Sequence, residues 1–456
     1  MTDFIIKQLP YDLSSNAGLA LIGQYLKRIG LDALVDGRFP LRAKGVANSD
    51  IVKSYLGLLC QGKNDFDAIE AFRNDAFFKR ALGLDAVPSS PTLRQRMDGH
   101  AVAWNTLADD LNMALLSAKH QGAPLDFGAL PCGYMPLDWD TFVMNNEGSK
   151  KEEVGRTYQG VDGYTPSASY LGTKGYCLEL ALRPGTQHSA LETDFNLQRV
   201  LPMAARLTSM PILFRADSGL CSAKLMGELC VQGQALAREV AFIIKWNPRS
   251  APVEAIAKVR KADGATAWTQ LRPGKRECLW QEALGIAIPG GPAQAARRIY
   301  RLTERVIDKH GNALLLPEYL LEGWSTTLPA RFGPEEVIAL YADHATHEQF
   351  HSEFKSDMDL ERLPSGKFDT NYLVCALASV ALNMLRLIGQ SALTGADAPI
   401  RHGAKRRRIK TVIQEMMCKA ARMIHHAGRW VLGLGANDRA FGVFERLYGQ
   451  LKSAHG

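Results

Sequence analysis

Residues 211–247 limit the fold of this chain more than any other stretch. "PILFRADSG" is a short apolar run ending in an aspartate, "SAKLMGELCVQGQALA" places apolar residues at helical spacing, and "VAFIIKWN" is apolar again. Two strand-like runs joined by a helix make a β-α-β unit. The shorter runs "YMPLDWDTFVM", "SASYL" and "YCLELALR" precede it. Together they predict an α/β domain built on a central sheet.

The flanks differ in texture. Residues 1–130 read as helical, with the 3.6-residue period clear in "SDIVKSYLGLLCQG" and "DFDAIEAFRNDAFFKRALG". Ser49 and Asp50 offer a cap to the first helix, and Ser90 with Pro91 opens another. This region is expected to bind or pack, since it carries no acid cluster that suggests chemistry. Residues 131–247 form the first part of the α/β domain, and the Pro- and Gly-punctuated stretch 248–330 reads as a β-rich insertion. Helix returns over 331–395 and is expected to persist through a basic region at 396–456, including "KTVIQEMMCKAARMIHHAG". A chain of 456 residues is expected to divide into two or three lobes.

Composition excludes some classes. A hydrophobic share of 46% with 22% charged residues is that of a soluble globular protein. "MTDFIIKQLPYD" lacks the regions of a signal peptide and no run of eighteen apolar residues occurs, so an intracellular location away from membranes is expected. The eight cysteines are scattered without a C-x-x-C pair, which suggests buried thiols rather than disulfides or a zinc knuckle. Between Pro399 and Trp430, Arg401, Lys405, Arg406, Arg407, Arg408, Lys410, Lys419, Arg422 and Arg429 face a single acid, Glu415. Such a stretch attracts a polyanion, nucleic acid first.

The acids suggest chemistry. In "PLDWDTF", Asp138 and Asp140 leave the same face of a strand, and Asp217 follows the apolar run Ile212–Phe214. Carboxylates at strand ends are candidates for a divalent-ion site, joined by Glu348 from a later helix. Each also has a bland reading as a strand end or a turn residue. Residues 347–351, "HEQFH", fit the H-E-x-x-H zinc pattern, with His347 and His351 on one helical face and Glu348 as base. The longer zinc-protease signature fails here, because neither the Gly nor the third His follows; Glu361 could replace that ligand. A zinc metallopeptidase therefore stays as an alternative, as does a DNA-binding protein without chemistry.

The window "YADHATHEQFHSEFKSD" also carries Tyr341, His344, Glu348 and Lys355 at the spacing Y-x2-R-x3-E-x6-K, with His344 in the Arg position. "LDWDTF" resembles a first D-x-D motif and "LFRADSGL" a second-aspartate motif, F-R-A-D-S-G. These motifs, with "SSPTLRQR" and the basic tail, resemble DDE transposases of bacterial insertion sequences, and the insertion-sequence 1380 family in particular. The resemblance implies an RNase H-like catalytic domain interrupted by a β-rich insertion before the last acid. It implies that Asp140, Asp217 and Glu348 bind Mg²⁺, with Mn²⁺ as substitute and Asp138 as the rival for first acid. It further implies that Tyr341, His344 and Lys355 contact double-stranded DNA, at terminal inverted repeats and target, beside the basic residues Arg401, Lys405, Arg406, Arg407 and Arg408. Chemistry at two ends implies a dimer on DNA, and the location implied is cytoplasmic and nucleoid-associated. Arg215, on the strand face of Asp217, is expected to pair with an acid of the site or to form a purely structural ion pair, and Trp268 and Trp280 to fill the insertion's own core or to stack on a displaced base.

Overall fold

The computed structural model describes residues 3–8, 10–41, 44–120, 122–400 and 402–453, leaving aside the side chains of residues 345–347. It is a mixed α/β fold around a nine-stranded, mostly antiparallel sheet. The strands are β1 (Met135–Thr141), β2 (Ser167–Leu171), β3 (Tyr176–Ala181), β4 (Ile212–Ala216), β5 (Val240–Trp246), β6 (Trp268–Arg272), β7 (Lys275–Ile286), β8 (Gln294–Ile307) and β9 (Ala313–Thr326). Their order is β6-β7-β8-β9-β5-β4-β1-β2-β3. Only β1 with β4 and β4 with β5 pair in parallel. The helix Ala223–Ala235 makes the crossover from β4 to β5 that the sequence predicts. An antiparallel meander followed by two parallel strands is consistent with an RNase H-like core.

The sheet is covered by a helix that the sequence makes apolar on every side. Phe368–Leu393 is long and apolar enough by length and composition to cross a membrane, yet 94% of its most apolar stretch is buried inside the protein. It packs on β3 and on the long helix Ser90–Ser117. The same continuous core takes in Leu21 and Leu56 from the N-terminal helices, Phe214 from the sheet and Leu447 from the last helix. The expected N-terminal lobe is therefore part of the main body, because its apolar faces have the long helix to pack against. A small separate core around Cys278, Leu302 and Leu321 supports the strands of the 248–330 segment. Trp268 and Trp280 are partly buried against it, with Trp280 stacked on Tyr300 at 4.9 Å.

Two local expectations need correction. Ser49 and Asp50 do not cap their helix, which starts at Asn48; Asp50 is buried and accepts the backbone N–H groups of Asp85 and Ala86, each at 2.9 Å. Ser90 with Pro91 does open its helix, Ser90–Ser117, and Ser89 caps it, accepting Thr92 N–H at 3.3 Å. The expected helix after Lys410 ends at Met417, and Ala421–His426 and Arg429–Leu434 form a hairpin extended by Leu13–Ser14. Ala427 and Gly428 both have positive φ, at 49° and 74°, the conformation a two-residue hairpin turn requires.

Candidate active site

The site starts from strand register. Asp138 on β1 lies opposite Arg215 on β4, so residues just beyond this pair, Asp140 and Asp217, stand side by side at the carboxyl ends of two parallel strands. Open sheets place ligands at such ends. Asp140, Asp217 and Glu348 line one pocket of about 850 Å³ together with Tyr158 and Lys355. Asp217 and Glu348 are exposed and Asp140 is partly covered.

Asp138, two residues earlier, has a different environment. It is 5% exposed, and Arg215 donates to both its carboxylate oxygens, Nε to Oδ1 at 2.6 Å and Nη2 to Oδ2 at 2.7 Å. His344 Nδ1 lies 3.0 Å from Oδ1. Burial alone would push the Asp138 carboxyl up; the Arg215 guanidinium and the His344 hydrogen bond outweigh it and hold the group well below the usual carboxylate range. Arg215 Nη1 also donates to the Leu340 carbonyl at 2.6 Å, which ties the helix Pro334–Ala342 to the sheet. Asp138 is thus held in an ion pair, and His344, expected to meet DNA, is 1% exposed and faces this pair instead. A buried carboxylate needs a partner, and here Arg215 and His344 both face Asp138.

The segment carrying the Y-x2-H-x3-E-x6-K residues is expected as one helix but is broken into pieces. Pro334–Ala342 gives way to a 3₁₀ turn at Asp343–Thr346, a short helix at His347–Ser352 and a π turn at Glu353–Asp357. Such turns are frequent at functional sites. Phe350 seats this segment against the turn at Gly175, where a Cβ would come within 2.2 Å of the Phe350 ring. Tyr341 donates its hydroxyl to Asp217 Oδ1, and burial first, then the Asp217 charge, raises the phenol far above its ordinary value. Lys355 Nζ pairs with Glu361 at 3.2 Å on the pocket rim.

The zinc reading meets an obstacle. His351 is 6% exposed and stacks on Phe142 at 4.3 Å, with Nδ1 4.0 Å from Asp140. Glu361 is occupied by Lys355 and by the Asn145 N–H at 2.9 Å. The side chain of His347 lies outside the described residues.

Among the basic residues of the tail, Arg401 lies outside the described residues. Arg408 reaches Asp357, which is 8% exposed, at 2.9 Å and Ser352 Oγ at 2.9 Å. Arg407 Nε donates to the Leu393 carbonyl at 2.7 Å at the end of the helix Phe368–Leu393. Arg406 lies over the Phe350 ring at 4.1 Å, and burial, then the nearby Arg386, lowers its guanidinium to about 10. Lys405 is exposed.

Sequence reasoning missed part of the pocket lining. Arg156, from a two-residue strand, and Tyr158, His188, Ser189 and Arg249, from turns and loops, also line it. They belong to no motif, and only the fold brings them to the acids. Burial, then the charges of Asp140 and Asp217, raises the Tyr158 phenol.

Among the described residues no three His, Cys, Asp or Glu side chains converge closely enough to hold a metal as they stand. The donor set, two carboxylates at adjacent strand ends and a third across the pocket, nonetheless has the hard-oxygen chemistry that Mg²⁺ prefers.

Comparison with known proteins agrees on the class. The family model described as transposase DDE domain group 1 matches residues 11–455, so the chain belongs to that family of DDE transposases. Among solved structures, a synaptic complex of piggyBac transposase with hairpin DNA matches at 10% identity and a TM-score of 0.40, covering 97% of this chain and 81% of that one. No curated protein matches in sequence.

Proposed function

We propose that the chain is a transposase of the insertion-sequence 1380 type that cuts a phosphodiester at each transposon end and joins the freed 3′-OH to target DNA. The observation that carries this reading is the placement of Asp140 and Asp217 on adjacent strand ends, with Glu348 across the same pocket, in a chain of the DDE family. Under this reading the strands β1 to β5 are an RNase H-like core and residues 248–330 its insertion.

Asp140, Asp217 and Glu348 would hold Mg²⁺, or Mn²⁺ in its place, supplying charge stabilisation and activation of the attacking oxygen in phosphoryl transfer. Asp140 is assigned as the first acid because Asp138 is occupied by Arg215. Tyr341 fixes the orientation of Asp217 through its hydroxyl. The Asp138–Arg215–His344 cluster keeps β1, β4 and the Tyr341 helix in register, a positioning role in place of the phosphate contact expected of His344. Lys355 and exposed Lys405 present ammonium groups to backbone phosphates. Water attacks phosphorus and the P–O bond to the 3′ oxygen breaks, leaving a 3′-OH; that oxygen then attacks a target phosphate and displaces a new 3′-OH. Neither step leaves the enzyme covalently modified. Action on two ends favours a dimer on DNA, in the cytoplasm at the nucleoid.

The test is excision, in cells, of a marker placed between the DNA flanks of this protein's own gene, with Asp217→Ala and His351→Phe beside the native chain. Phenylalanine keeps the stack on Phe142 and removes both ring nitrogens. Excision that survives His351→Phe and vanishes with Asp217→Ala is expected. A zinc peptidase, or a DNA-binding protein without chemistry, would excise nothing in any form.

A further inference from the structure

The acid pocket is also lined from a short hairpin, Gly155–Arg156 paired with Asp162–Tyr164. Its turn is well ordered: Thr157 N–H and Oγ1 both donate to the Val161 carbonyl, at 2.9 and 2.8 Å, and Gly160 N–H donates to the Thr157 carbonyl at 3.0 Å. The hairpin is pressed against the chain leaving β1, since a Cβ on Gly163 would lie 2.1 Å from the Met144 carbonyl oxygen. Tyr158 stands at this turn. The residue is 61% exposed and lines the acid pocket, while its hydroxyl donates to the Thr141 carbonyl at 3.3 Å. Arg156 and Arg249 line the same pocket.

An exposed aromatic at a hydrogen-bonded turn, in a pocket it shares with two carboxylates and two guanidinium groups, has the composition of a nucleotide contact. The ring offers a stacking face and the arginines offer partners for phosphate. We propose, resting on the transposase reading, that Tyr158 stacks on the nucleobase next to the phosphate being cut and so fixes the DNA strand over Asp140 and Asp217. Stacking accepts any base, so the contact would position the strand without reading its sequence.

The test uses duplexes made from the DNA flanking the protein's own gene, with 2-aminopurine at successive positions near the end, bound to the full chain in Ca²⁺ and then assayed for cleavage in Mg²⁺. One position is expected to change in fluorescence on binding with the native chain and with Tyr158→Phe, and not with Tyr158→Leu. Cleavage by Tyr158→Leu should fall about tenfold or more, in kcat more than in KM, at an unchanged melting temperature. Fluorescence indifferent to Tyr158 at every position would overturn the proposal, even if the native chain cleaves. A Tyr158-dependent signal from a native chain that never cleaves would sustain the contact and sink the catalytic reading instead.

Discussion

Two stretches of this chain have the same claim on DNA from their sequence, and the fold treats them in opposite ways. The segment 341–357 turns Glu348, Ser352 and Lys355 into the acid pocket and sets the Tyr341 hydroxyl on Asp217. The basic run at 402–410 is largely spent on the protein itself. Glu353, in a buried pair with Arg386 at 2.5 Å, accepts the Ile409 N–H at 3.2 Å; Asp357 accepts the Lys410 N–H and the Arg408 guanidinium, each at 2.9 Å. The basic run thereby latches the π turn that carries Lys355. Motif spacing brought Glu348 and Lys355 to the pocket but not His344, and a count of charges says nothing about which partners they meet.

Substitutions distinguish the acid pocket from the basic run. Asp140→Ala and Asp217→Ala should each lower end cleavage by about a thousandfold or more, the scale of losing a directly acting electrostatic group, with little change in DNA affinity. A filter-binding and cleavage pair of assays checks both halves. Asp138→Ala should instead lower unfolding stability by about 3–5 kcal/mol, because Arg215 is left buried without its carboxylate. Urea titration reads this. Because the Asp138 carboxyl is held below its ordinary range, the stability difference should be full above about pH 4 and shrink as pH falls toward the depressed value. Growth of the difference on acidification would contradict the ion pair.

Smaller effects separate the two stretches. Arg408→Ala should cost about 1–2 kcal/mol of stability by leaving the Asp357 carboxylate buried, and change the salt dependence of DNA binding little. Lys405→Ala should do the reverse: unchanged melting, binding weakened a few-fold, and a slope of log affinity against log salt smaller by about one. If Arg408→Ala lowers the salt slope as Lys405→Ala does, the latch is the wrong account of the basic run.

Much of the site was legible because the motifs sit on regular elements. Asp138 and Asp140 share a strand face by the two-residue period, and the β-α-β pattern places Asp217 at a strand end. Which of the first two aspartates faces the pocket was not legible, since the choice depends on Arg215 lying opposite Asp138 in a neighbouring strand. The burial of His344 follows from the same cross-strand pair and has no signature in its own sequence neighbourhood. Arg156, Tyr158 and Arg249 were illegible for a related reason: loop conformation and long-range packing bring them to the acids. The hairpin after Met417 was misread as helix because its two-residue turn, Ala427-Gly428, is a weak form of the usual Asn-Gly signal.

The central claim is that Asp217 serves as a ligand to a catalytic divalent ion. Replacing it by cysteine, a soft ligand poorly matched to Mg²⁺ and better suited to Mn²⁺, tests this with purified protein and its own terminal DNA. The account predicts that Asp217→Cys is inactive in Mg²⁺ and recovers cleavage in Mn²⁺, while Asp138→Cys shows no such recovery. Activity of Asp217→Cys equal to the native chain in Mg²⁺, or no recovery in Mn²⁺ by a folded variant that still binds DNA, would contradict it.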